Sequence, residues 1–200
     1  MLAAMLNVGL VAILASLPLT GPRPEPTPIY GGTTSEPGAW LNVVAIMLPD
    51  ELCTGTLVSD RVVITAAHCL EGGEPAGLFQ VRIANDIYGA GDTYTVERYG
   101  THPKYCGSDP NVCKVDVWDF GYMVLSKPVQ GVTPARPLVT QEAWDEAMAV
   151  AAPVTLVGYG YNEKMLPDDK CVGDAPISKF SSGGLQFFAC CLGLGNYSGD

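Results

Sequence analysis

Cations are scarce in this 200-residue chain: 11 Lys and Arg stand against 21 Asp and Glu, a formal net charge of -10. That balance argues against nucleic acid or an anionic membrane surface as a partner. Histidine is scarcer still, with 2 residues, and no Cys-x-x-Cys pair is present, which weakens any thiolate metal site. Leu/Ala-rich helical runs are few outside the N-terminus, and no internal repeat or low-complexity tract appears beyond one proline-rich stretch. What is abundant is Gly (23) and Pro (16), in a chain 48% hydrophobic. Together these predict a loop-rich all-β protein, long enough for one sizeable domain or two small barrels sharing a core.

Residues Leu2 to Leu19 form an apolar stretch interrupted by Asn7 and Ser16. This suits a secretory signal peptide over residues 1–20, with cleavage favoured by Pro18 and the small residues Ala15 and Thr20. No Lys or Arg precedes the stretch, and its length also suits an uncleaved membrane anchor. From Pro22 to Pro28 every second residue is proline. Residues 21–28 therefore read as an extended linker or propeptide, and the folded domain spans 29–200. Short runs rich in Val, Ile and Tyr, bounded by Gly, Pro, Asp or Asn, predict strands at Asn42 to Leu48, Leu52 to Val58, Arg61 to Thr65, Phe79 to Ala84, Thr93 to Tyr99, Gly121 to Leu125 and Val154 to Tyr159. Only Gln141 to Ala151 has helical spacing, through Trp144, Met148 and Ala151.

A histidine serves as a general base only when held near a nucleophile and oriented by a third group; alone it is more often structural. His68 stands in a specific context. Val62-Val63-Ile64-Thr65 predicts a strand, Ala66-Ala67 permit close backbone packing, and Cys69 follows. Two carboxylates precede or begin the next apolar run, Asp116 and Asp119, and Asp119 leads directly into Phe120-Gly121-Tyr122-Met123-Val124-Leu125. Ser/Gly clusters such as Ser181-Ser182-Gly183-Gly184 ordinarily mark turns.

The segment Thr65-Ala66-Ala67-His68-Cys69 resembles the histidine motif of the chymotrypsin-like (trypsin-type) serine proteases. Asp119 to Leu125 resembles that family's Asp-Ile-Ala-Leu-x-x-Leu, Leu52 to Val58 its Cys-x-Gly-x-Leu segment, and Val157-Gly158-Tyr159-Gly160 its Gly-Trp-Gly with Tyr for Trp. Leu125 to Val129 and Pro134 to Leu138 are similar to its inter-barrel connection. The resemblance implies a double β-barrel, with His68 as general base, Asp119 as its orienting carboxylate and protein or peptide substrates. It implies a Cys53–Cys69 disulfide, worth about 3 kcal/mol in the chain-entropy model, while Cys106 and Cys113 would close the loop before Asp119. By cysteine count alone, Cys171 could take Cys190 or Cys191, leaving one of those two unpaired. A zinc site from His68 and cysteines is the weak rival, and no metal or other cofactor is expected.

Ile29-Tyr30-Gly31-Gly32 resembles the family's mature N-terminus, whose freed amine pairs with the aspartate before the catalytic serine, a role that falls to Asp200. Pro28 rather than Arg or Lys precedes Ile29, which argues against tryptic activation at this bond. Gly199-Asp200 resembles the opening of Gly-Asp-Ser-Gly-Gly, so the serine is expected just past the chain end, leaving the first barrel complete and the second incomplete. Seven cysteines, an odd count, agree with a partner beyond residue 200. Ser182 and Ser198 are the weaker nucleophile candidates. The expectation is a secreted, extracellular serine endopeptidase fragment; the alternative is a catalytically inactive binding module on the same fold.

Overall fold

The computed structural model describes residues 32–48, 51–107, 111, 118–159, 169–181 and 186–189. The signal-peptide and linker expectations therefore lie outside the described residues, as does Ile29. Among the described residues no helix is long and apolar enough to cross a membrane.

Six strands close into a barrel in the order β2-β3-β4-β7-β6-β5. They are β2 (Val43–Met47), β3 (Leu52–Leu57), β4 (Val62–Thr65), β5 (Gln80–Ala84), β6 (Gly91–Thr101) and β7 (Gly121–Leu125). All their pairings are antiparallel, so closure leaves no unpaired edge to template association. Val44, Ile46, Leu57, Val63, Val81, Tyr94, Met123 and Leu125 fill the interior. Gly55 is small because a Cβ there would stand 2.5 Å from Val63 Cγ1 and 2.8 Å from Ile46 Cδ1.

The unbroken apolar run Val43-Val44-Ala45-Ile46 follows from the position of β2 between two cores. Val44 and Ile46 point into the barrel. The alternate residues Val43 and Ala45 pack with Ile87 and Tyr159, where the second sheet begins. A strand buried on both faces loses the polar alternation of a half-exposed one. β6 keeps that alternation, with Tyr94 and Val96 buried and Thr93, Thr95 and Glu97 exposed.

The second sheet is built on β9 (Cys171–Ser181), which pairs with β1 (Thr33–Thr34), β8 (Pro153–Gly158) and β10 (Gln186–Ala189). A closed barrel beside a second sheet is the all-β double-barrel architecture expected, with the second unit open among the described residues. The seven expected strands form with ends shifted by a few residues; β1, β9 and β10 were not anticipated. The helix α1 (Gln141–Ala147) starts where Thr140 Oγ1 accepts from the Ala143 N–H at 3.2 Å. It stops four residues short of Ala151. That residue takes a left-handed φ of 69° and donates its N–H to Ile177 O at 2.8 Å, so pairing with β9 ends the helix.

Candidate active site

The site forms where β4 ends and its antiparallel neighbour β7 begins. Thr65, the last residue of β4, lies opposite Gly121, the first of β7. His68 sits three residues past one end and Asp119 two residues before the other, so strand pairing alone brings them near each other. The chain approaches closely here because Gly121 carries no side chain. A Cβ on it would stand 2.6 Å from Leu70 Cδ1 and 2.8 Å from Gly100 O.

His68 opens a one-turn 3-10 helix, His68–Leu70, closed by the Leu70 N–H donating to Ala67 O at 2.9 Å. Ala67 is fully buried; a larger residue would push the turn off the barrel. Two ties fix the turn to β3. Thr65 Oγ1 donates to Thr54 O at 2.9 Å, and Cys69 is disulfide-bonded to Cys53.

Asp119 grips His68 twice. Its Oδ2 lies 2.6 Å from His68 Nδ1, and its Oδ1 accepts the His68 backbone N–H at 2.8 Å. The second bond, which sequence reasoning did not foresee, holds the carboxylate against both the ring and the backbone that carries it. In a neutral imidazole whose Nδ1 proton faces this carboxylate, the lone pair is on Nε2. Side-chain exposure is 30% for His68 and 19% for Asp119, so the imidazole faces outward and the carboxylate stands behind it.

The sulfurs of Cys53 and Cys69 and a ring nitrogen of His68 lie within 4.8 Å of one another, which is the weak zinc alternative in three dimensions. Both sulfurs are consumed by the disulfide. No thiolate remains to ligate, and one imidazole does not make a zinc site.

The expected pairing of Cys171 with Cys190 or Cys191 is incorrect. Cys171 is a free, fully buried thiol. It lies opposite Thr34 of β1, which offers no sulfur, and its Sγ donates to Asp169 O at 3.5 Å. Burial, followed by the Asp169 charge, pushes this thiol up to about 12. Cys106 is disulfide-bonded; Cys113, Cys190, Cys191, Asp116, Ser182, Ser198 and Asp200 lie outside the described residues.

Behind the site, the barrel and second sheet meet at two buried polar side chains. Tyr159 is 1% exposed; its N–H donates to Thr54 Oγ1 at 2.9 Å and its hydroxyl donates to Ala84 O. Burial raises this phenol well above its ordinary range. Gly158 permits the approach, since a Cβ would stand 2.9 Å from Thr54 Oγ1. Lys170, fully buried, donates from Nζ to Trp40 O at 2.8 Å, and burial lowers it to about 8. Nothing in the sequence singled out Lys170, which follows Asp168-Asp169 and reads as a solvated charge cluster.

Comparison with known proteins gives a consistent family. Serine protease 56 of Mus musculus is 31% identical over 160 residues, covering 79% of this chain and 25% of that protein. Trypsin of Phaedon cochleariae is 38% identical over 122 residues, covering 57% and 45%. The clotting factor G beta subunit of Tachypleus tridentatus is 32% identical over 129 residues, covering 61% and 40%. The chain thus spans less than half the length of each. The family model described as Trypsin matches residues 29–171, a stretch that holds the whole closed barrel together with His68 and Asp119, and the chain belongs to the trypsin family.

Proposed function

We propose that this domain is the catalytic domain of a secreted serine endopeptidase, with His68 as general base and Asp119 as its orienting carboxylate. The observation that supports the reading is the double grip of Asp119 on His68, at 2.6 Å and 2.8 Å. Such a carboxylate favours the tautomer with the proton on Nδ1 and the lone pair on Nε2, and it stabilises the imidazolium that forms. The nucleophile in this reading is a serine following a Gly-Asp pair, and the likeness of Gly199-Asp200 to the opening of Gly-Asp-Ser-Gly-Gly supports it. Its Oγ attacks the peptide carbonyl carbon while Nε2 takes its proton. That proton then passes to the departing amine, leaving an acyl-enzyme for water to hydrolyse. Ile29, once freed by processing, pairs with Asp200. The disulfides at Cys53–Cys69 and at Cys106 suit an oxidising, extracellular compartment.

The test is labelling of the processed full-length product with a fluorophosphonate probe, followed by mapping of the modified residue. Modification is expected on the serine after Asp200, with Asp119→Asn slowing peptide hydrolysis about 10⁴-fold. Folded, processed protein that takes no label would instead be the non-catalytic binding module. Modification at Ser182 would move the nucleophile and sink the assignment.

A further inference from the structure

Asp119 stands at the middle of a three-residue turn, closed by the Phe120 N–H donating to Trp118 O at 2.8 Å. Both arms of that turn are aromatic, and both lie against one side chain, His102. The His102 ring stacks on Trp118 with centroids 4.6 Å apart and planes 9° from parallel. It meets Phe120 at the same 4.6 Å, tilted by 51°. The His102 N–H donates to Phe120 O at 2.9 Å, and the ring is itself set by the Lys104 N–H donating to its Nδ1 at 3.1 Å. Lys104 Nζ lies 4.5 Å from the Trp118 ring centroid. His102 follows directly on Thr101, the last residue of β6, which pairs with Gly121 of β7. The clamp is therefore mounted on the closed barrel.

From this geometry we propose that His102 is a positioning residue: by stacking on the two residues that flank Asp119, it holds the carboxylate at the distance and angle that engage His68. It acts through Trp118 and Phe120, against which its ring lies. An exposed residue such as Phe120, half-accessible at 50%, thereby gains a role that burial does not explain. The demand is strict, because a carboxylate orienting a base must be held to within about 0.5 Å, and a misplacement of about 1 Å costs up to 10²-fold in rate.

The test uses the chain as it stands and the His68 Nδ1 proton, the one shared with Asp119, as its reporter. Its NMR resonance and its exchange with water are measured well below the melting temperature for wild type, His102→Ala and His102→Phe. His102→Ala is expected to speed exchange about tenfold, the ratio an aromatic stack of ordinary strength corresponds to. His102→Phe keeps a ring on both arms and is expected to restore slow exchange. An unchanged exchange rate in His102→Ala, with only a lower melting temperature, would show a merely structural residue and overturn the proposal. So would exchange in His102→Phe as fast as in His102→Ala, since the imidazole rather than the stack would then be responsible. If His102→Ala does not fold, Trp118→Ala opens the same stack from the other side, with the same outcomes deciding. The catalytic importance of the pair rests on the proposed function, but this readout needs no nucleophile, so the two can fail separately. In the full-length enzyme His102→Ala is expected to lower kcat about tenfold with KM unchanged.

Discussion

Replacing Lys170 by Met is expected to stabilise the chain at neutral pH, although it deletes a hydrogen bond. Lys170 is fully buried and burial brings it to about 8, against about 10.4 for a lysine in the unfolded chain. Holding the charged form inside therefore costs up to about 3 kcal/mol below pH 8, at about 1.4 kcal/mol per unit of difference. The hydrogen bond to Trp40 O and the Tyr159 ring 5.6 Å away offset only part of the desolvation. Met is close in volume, and the Trp40 carbonyl keeps the Val43 N–H as a donor at 2.9 Å, so the substitution leaves no orphaned acceptor. The sign follows from proton binding. Between about pH 8 and pH 10.4 the unfolded chain holds the Lys170 proton and the folded chain does not, so this group's contribution to stability rises with pH. Wild type alone would hide the effect. Cys171, pushed up to about 12, has a folded value above its unfolded one, so its contribution is present at neutral pH and fades above about pH 8.5. The quantity to measure is thus the stability of Lys170→Met minus that of wild type, from urea unfolding at pH 7, 8, 9 and 10. It should be largest, up to about 3 kcal/mol, at pH 7 and shrink toward zero near pH 10. A difference that does not vary with pH, or a variant less stable than wild type at pH 7, would refute the reasoning.

Two further outcomes follow from the geometry around His68. Gly121→Ala would drive a methyl against Leu70 Cδ1 and the Gly100 carbonyl, at 2.6 Å and 2.8 Å; because one of these is backbone it cannot rotate aside, and a loss of about 1–3 kcal/mol is expected in thermal melts. A wild-type melting temperature would mean that the close approach is not needed. Joint replacement of Cys53 and Cys69 by Ala opens a link with a sequence separation of 16, and unfolding free energy should fall by about 3 kcal/mol; a change under about 1 kcal/mol would show that the Thr65 and Leu70 hydrogen bonds hold the turn unaided.

The closed barrel was legible because its strands are short, apolar and punctuated by turn residues, and because β6 keeps its in-out alternation. The histidine turn was legible for a different reason: Thr65-Ala66-Ala67-His68-Cys69 resembles the histidine motif of the chymotrypsin-like proteases, and the buried Ala67 and the Cys53–Cys69 disulfide fit what that resemblance implies. β1 escaped notice because two threonines carry no period, and β9 because Gly173, Asp174 and Pro176 read as breakers until β8 pairs along it. Cys171 was misjudged because counting cysteines assumes that each seeks a partner, whereas a fully buried thiol behaves as a small apolar side chain. Lys170 and the clamp at His102 were invisible, since both depend on residues brought together from far along the chain, by tertiary rather than local geometry.

The pairing of β1 with β9 has a consequence in time. Thr33 lies beside Val172, while the barrel strands all fall between Val43 and Leu125. At about 5–20 residues per second, roughly seven to twenty-eight seconds of synthesis separate Thr33 from its partner. The barrel can close during that interval, but Thr33 and Thr34 must wait, their backbone groups open to water, until the second sheet emerges to receive them. Thr33 and Thr34 thus cannot take their place before Cys171 and Val172 are made, whereas by then every strand of the barrel is already available to pair.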